Sequence, residues 1–241
     1  MLKLNLGCGP VQPAGWVNVD GSNRAWLASR LPWLDRLLVR LRLLPPTEFT
    51  AQTTWADLRR RLPWDDGTVD AIYLGEVLEH FTRDQGQRLL GECRRVLKPD
   101  GVLRLRVPDN ANFWRQYLAE YDEVRSRPPA EWANDHTRWV ALFFRDICTR
   151  PRRFGYAGHY HKWMYDEVSL TLALREAGFV AQRRTYLDSA IADVAAVEVA
   201  QDLIMEARPA AATQRAGVLA TPNAAVHGVL AGALAAVEQL S

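Results

Sequence analysis

A chain of 241 residues is long enough for one α/β domain with a large core, or for one domain with an appendage. Its apolar fraction of 48% and charged fraction of 24% are those of a globular protein, and a net charge of +2 speaks against a polyanion binder that works by bulk charge. The three cysteines, Cys8, Cys93 and Cys148, are scattered without metal spacing and point to a reducing compartment. Met1 leads directly into the first strand, and no apolar run reaches the ~20 residues of a membrane span, so the expected location is the cytoplasm.

The stretch LNLGCGP opens the chain. Leu4 and Leu6 flank Asn5 in a short apolar run that reads as a buried strand, and Gly7 and Gly9 let the backbone turn sharply and a ligand approach closely. Residues 16–19 form a second run closed by Asp20, placed as a carboxylate that accepts hydrogen bonds from a ribose. The dinucleotide fingerprint is absent, because Gln12 stands where its third glycine belongs and Asp20 follows Gly7 by only 13 residues, where roughly 20 further on are wanted.

Residues 21–46 are more than a connector. From Pro32 onward Leu34, Leu37, Leu38, Leu41 and Leu44 recur at helical spacing, with Arg36 and Arg40 a turn apart on another face. This basic amphipathic helix either packs on its own domain, forms a mobile lid, or touches a membrane surface. A third strand is predicted in residues 47–58, ending near Asp57, and a fourth in residues 69–74 after the loop LPWDDG. Thr82 and Gln85 form a capping box for a helix whose apolar stripe is Leu89, Leu90, Cys93, Val96 and Leu97, closed by Lys98-Pro99-Asp100-Gly101. Residues 102–107 are a fifth strand stopped by Pro108.

Beyond Pro108 residues 110–148 read as helix, a break at 127–129, and more helix rich in Trp and Phe. Residues 154–163 are a loop dense in aromatic and histidine side chains, among them Tyr156, His159, Tyr160 and His161. A helix carrying Leu170, Ala173, Leu174 and Ala177 ends at Gly178, followed by strands at 179–186 and within 197–207. The tail from 209 to 241 is alanine-rich, either a helix that docks on the domain or on a second subunit of a homodimer, or a disordered end. Alternating strands and helices call for a mainly parallel sheet covered on both faces.

LNLGCGP, Asp20, the WADL run through Asp57 and Leu58, LPWDDGTVDAIYLGEVLEHF and ECRRVLKPDGVLRLRVPD, taken together and in order, resemble the class I S-adenosylmethionine-dependent methyltransferases. The resemblance spans about residues 1–207 and is strongest to small bacterial proteins with LNLGCG and GWVNVD strands, many of them associated with glycan or secondary-metabolite pathways. It implies a Rossmann-like, doubly wound α/β sheet of seven strands, one antiparallel, within a domain 1–208 whose segments 21–46 and 110–163 form a helical and aromatic cover. It also implies S-adenosylmethionine as cofactor, with S-adenosylhomocysteine as product. Gly7, Cys8 and Gly9 would lie against its methionine portion, Asp20 would hold the ribose, Asp57 and the Leu58 backbone would address the adenine, and Gly75 and Glu76 would follow the fourth strand beside the methionine. One departure stands out: only six residues, 10–15, separate Gly9 from the second strand, too few for the usual connecting helix.

Methyl transfer from a sulfonium is an in-line displacement, so the protein chiefly aligns donor and acceptor and excludes water. A hydroxyl acceptor needs a base, and the candidates are His80, His159 and His161, with Asp109 as a substrate contact or a helix cap. The string Glu76-x-x-Glu79-His80 resembles the metal-holding arrangement of small-RNA 2′-O-methyltransferases, yet many metal-independent relatives carry it, so no metal is expected. The expected reaction is O-methylation of a small-molecule or carbohydrate-like acceptor, with arginines to bind an anionic handle. Two other readings stay open, a nucleic-acid methyltransferase, disfavoured by the charge balance, and a non-catalytic cofactor-binding or assembly subunit.

Overall fold

The computed structural model describes residues 1–47, 49–132, 161–199 and 203–211. The chain divides into two units, Met1–Pro209 and Ala210–Ser241, and the sheet lies in the first. His159, Tyr156, Tyr160, Cys148, the second half of the aromatic cover and the alanine-rich tail fall outside the described residues.

Seven strands form one sheet in the order β3-β2-β1-β4-β5-β7-β6. β1 (Lys3–Leu6), β2 (Val17–Asp20), β3 (Thr54–Trp55), β4 (Val69–Gly75) and β5 (Leu97–Val107) are parallel, while β7 (Leu203–Pro209) runs antiparallel to both β5 and β6 (Phe179–Arg184). This is the α/β, Rossmann-like arrangement expected, with its single reversed strand next to the edge. Strand order changes direction on either side of β1 and β4, and it is beyond the carboxyl ends of such strands that α/β folds bind ligands.

β4 shows why the sheet is buried on both sides. Ile72 and Leu74 enter the large core with Leu4, Leu6, Leu103 and Leu105, while Ala71 and Tyr73 enter a second cluster with Trp16, Val102, Ile191, Val194 and Val197. Alternate residues of one strand thus face opposite layers, and a run such as VDAIYL is apolar nearly throughout. The first layer is closed by α3 (Arg83–Val96), through Leu89, Leu90, Cys93 and Val96, and by α5 (Glu167–Glu176), through Leu170 and Leu174. The capping box at the start of α3 forms as read, with Thr82 accepting from the Gln85 amide and Gln85 accepting from the Thr82 amide. α4 (Asn110–Arg125) follows β5.

Three element boundaries differ from the expected ones. Residues 21–46 hold two helices, α1 (Asn23–Arg30) and α2 (Pro32–Arg40), because Leu31 breaks the run and Pro32 begins the second helix, a position where its missing N–H costs nothing. α3 passes straight into β5 at Leu97, and Pro99-Asp100-Gly101 becomes an irregularity inside that strand, between the pairs Val69–Leu97 and Ala71–Val102. The last strand starts at Leu203, after a 3-10 turn at Val194–Ala196 that covers the second face.

Candidate active site

The turn after β1 is built by the glycines. Gly7 has φ +70° and Gly9 φ +50°, both in the left-handed region. A Cβ on Gly7 would stand 2.4 Å from Val77 Cγ2, whereas one on Gly9 would meet nothing within 4 Å. Gly7 is therefore required by its neighbours, and Gly9 opens onto free space. The Gly7 and Cys8 amides both donate to the Val19 carbonyl, at 2.7 and 2.9 Å, fastening the turn to the end of β2. Gln12, in place of a third glycine, donates to the Gly9 carbonyl at 3.1 Å and accepts from the Thr53 hydroxyl at 2.7 Å. The Gln12 side chain thus ties the turn to Thr53, just ahead of β3.

A cavity of about 380 Å³ opens beyond the carboxyl ends of β1, β2, β3 and β4. Of the residues named for the cofactor, Gly7, Gly9, Asp20, Asp57, Leu58 and Glu76 line it together. Cys8 and Gly75 do not. Cys8 is buried beside the cavity, and burial, helped by the charge of Asp20, pushes its thiol up to about 12, so it is an inert packing group. Gly75 is a glycine because a Cβ there would stand 2.6 Å from the ring of Tyr73.

The acids are held in different ways. Asp20 accepts from the Gly9 amide at 3.2 Å and from the Ser22 amide at 2.8 Å. Asp57 is gripped by the Arg59 guanidinium, at 2.8 and 2.9 Å, which holds its carboxyl below the usual carboxylate range. Glu76 sits at φ +56°, rare for a residue with a side chain, with its amide on the Arg106 carbonyl at 2.9 Å and its carboxylate 3.5 Å from the Arg106 guanidinium. Strain of this kind gathers at functional sites.

His80 also lines the cavity, where it follows β4 in a 3-10 turn, Leu78–His80, whereas His161 is not among the lining residues. His161 comes to His80 from far along the chain: the amides of Lys162 and Trp163 donate to the Glu79 carbonyl at 2.8 and 3.3 Å, and the two imidazoles meet edge to face, 5.0 Å between centroids. The Glu79 carboxyl group is buried behind them, and Glu79, His80 and His161 can each offer one ligand atom within 4.8 Å of the others. Glu76, the first acid of the E-x-x-E-H string, is not in that group. Burial, reinforced by the Glu79 charge, pushes the Tyr165 phenol up to about 12. Asp109 does not line the cavity. It caps α4 by accepting from the Asn112 amide at 3.1 Å and stands 3.6 Å from Arg183.

Arg59, one of the arginines that the sequence offers as an anion clamp, also lines the cavity, as do Lys162, Ser22 and Asn23, which carry no such signal. Ser22 caps α1, a role its position just before a helix advertises, but Lys162 lies in a loop whose pairing with the 3-10 turn has no local signal.

Residues 4–105 match the family model described as a methyltransferase domain. Over those residues the chain is similar to methyltransferase domains. Solved structures that resemble it include a protein of Pyrococcus horikoshii OT3, at 15% identity with 86% of this chain and 81% of that one covered and a TM-score of 0.44. A possible histamine N-methyltransferase of Thermotoga maritima matches at 13% identity, 86% and 81% coverage and a TM-score of 0.45. The 1,6-didemethyltoxoflavin-N1-methyltransferase of Burkholderia thailandensis, with S-adenosylhomocysteine bound, matches at 16% identity, 87% and 71% coverage and a TM-score of 0.42. No curated protein matches the chain. Among the described residues no helix is long and apolar enough to cross a membrane.

Proposed function

We propose that this methyltransferase acts on a hydroxyl of a small or carbohydrate-like acceptor that carries an anionic group. The observation behind this is that one cavity is lined both by the glycine-and-acid cradle and by His80, whose ring meets that of His161. S-adenosylmethionine supplies, when bound, a methyl group on a sulfonium that leaves as a neutral thioether. The space over Gly9 takes its backbone-facing portion, Asp20 has lone pairs left for ribose hydroxyls, and Asp57 with the Leu58 amide takes the adenine edge.

For the acceptor, an imidazole of the pair removes the hydroxyl proton as the oxygen takes the methyl group. The neighbouring Glu79 carboxylate favours the imidazolium that forms. Lys162 offers its ammonium to a carboxylate or phosphate on the same acceptor.

The test is methyl transfer from labelled cofactor to a panel of sugar acids, sugar phosphates and phenols. Label on oxygen supports the reading. His80→Asn and His161→Asn should lower kcat by about 10²- to 10⁴-fold with cofactor affinity unchanged. Label only on nitrogen or carbon, or tight cofactor binding without transfer to any acceptor, would overturn it. Glu79, His80 and His161 are also a set of donors for a divalent ion, but a tetrahedral site with bonds of about 2.0–2.1 Å brings its ligand atoms to about 3.3 Å of one another. The donor atoms here lie within 4.8 Å of one another, and the proposal takes the histidines as bases. Activity should therefore survive prolonged chelator treatment, and a loss restored by manganese or zinc would make the histidines ligands instead.

A further inference from the structure

The helical pair α1–α2 presents a face that methyl transfer does not use. Trp33, Leu37 and Leu41 recur every four residues, so they form one stripe along α2 and the turn that ends it. All three are exposed to solvent, Trp33 by 63% and Leu41 by 56%. Arg36 and Arg40 lie one row over, and Arg42 follows, all exposed.

The charge of this face has one sign. Residues 21–47 contain five arginines and a single carboxylate, Asp35, in a chain whose net charge is only +2. Asp35 is turned inward, 3.1 Å from Arg24, with both side chains 9% exposed, and Arg24 also donates to the Pro45 carbonyl at 2.9 Å. That buried pair clamps the two helices to the returning chain and removes the segment's one acid from the outer surface. Among the described residues the four outer arginines form no ion pair.

We propose that this face docks the protein on an anionic membrane surface. Trp33, Leu37 and Leu41 enter the boundary between headgroups and acyl chains, and the arginines beside them meet lipid phosphates while their stems lie along the apolar stripe. A nucleic acid would satisfy the arginines but leave the leucines in water. A second copy of the same face would set arginine against arginine. Gly21, Ser22 and Asn23, at the start of α1, line the cavity, so the docking helices and the site share one segment, which suits an acceptor with a lipid tail. The docking itself does not depend on which atom is methylated.

Flotation of the full chain with vesicles tests it, using phosphatidylcholine alone and phosphatidylcholine with about 30% phosphatidylglycerol. Binding should be confined to the anionic vesicles and weaken with salt. It should fall by about tenfold or more in both Trp33→Ser/Leu37→Ser and Arg36→Glu/Arg40→Glu. Both variants are of exposed side chains, and S-adenosylhomocysteine affinity serves as the check on the fold and on the methyltransferase site. No flotation at low salt would overturn the proposal, as would binding to which the Trp33/Leu37 variant is indifferent. So would self-association that this variant abolishes, or tighter binding to an RNA oligonucleotide than to the anionic vesicles.

Discussion

The Gly9 amide donates to the Asp20 carboxylate across 3.2 Å, tying the glycine turn after β1 to the acid that ends β2. The other carboxylate oxygen accepts from the Ser22 amide at 2.8 Å, so both oxygens are oriented before any ligand arrives. About four lone-pair sites belong to a carboxylate and two are occupied, which leaves capacity for a pair of hydroxyls. Asp20→Asn would turn one acceptor into a donor facing a backbone N–H. Affinity for S-adenosylhomocysteine, measured by calorimetry, should fall by about 10- to 100-fold. An unchanged Kd would remove Asp20 from the cofactor site.

The two glycines of the turn should respond differently to alanine. Gly7→Ala combines a left-handed φ with a Cβ 2.4 Å from Val77, so it should destabilise the fold by roughly 2–4 kcal/mol, and Val77→Ala in the same chain should recover only the steric part. Gly9→Ala meets no atom of the protein and should cost only about 1 kcal/mol from its φ of +50°. Its added methyl, however, projects into the space assigned to the cofactor. Thermal melts with and without S-adenosylhomocysteine separate the two: Gly7→Ala lowers both curves, and Gly9→Ala mainly loses the ligand-induced shift.

What the sequence reveals about this fold depends on how local each signal is. The strand content of β1, β4 and β5 is written in contiguous apolar runs, and the start of α3 in the pair Thr82 and Gln85. The cradle is nearly as local, since Gly7, Gly9 and Asp20 fall on two adjacent short runs, with Asp20 only 13 residues after Gly7. Contacts created by the sheet are not. His161 reaches His80 only because two amides of a distant loop bond to the Glu79 carbonyl. Nothing near Arg104, in the middle of β5, marks its partner: it meets Glu206 because β7 returns antiparallel with those two residues opposite each other.

Arg104 is wholly buried, and each of its donor nitrogens has an acceptor: Glu198 at 2.6 and 2.7 Å, Glu206 at 3.3 Å, and the carbonyls of Asp188 and Thr185. The guanidinium therefore holds residues 185–198 against the second face of the sheet. Arg104→Met would leave two carboxylates buried without their cation, and should cost about 3–5 kcal/mol in urea denaturation. Adding Glu198→Gln removes one stranded charge and should restore part of that loss. A double variant as unstable as the sum of both single variants would show that the pair is not coupled.

Acid should weaken the domain through its paired carboxylates. Glu92 accepts from Arg95 at 2.7 and 2.9 Å and from the Leu62 amide at 2.8 Å, and the Arg95 bonds, opposed by burial, hold its carboxyl below the ordinary value of 4.5. Asp57 is held down in the same sense by Arg59. A carboxylate with a depressed folded-state pKa stabilises fully above its unfolded value and loses that contribution as pH falls through the folded one. The melting temperature should therefore hold from about pH 7 to about pH 5 and decline below about pH 4.5. Glu92→Gln should cost about 1–2 kcal/mol at pH 7 and flatten the acid limb, because the variant has no proton to take up there. If the melting temperature of the variant fell with acid as steeply as that of the parent, the linkage of stability to this pair would be wrong.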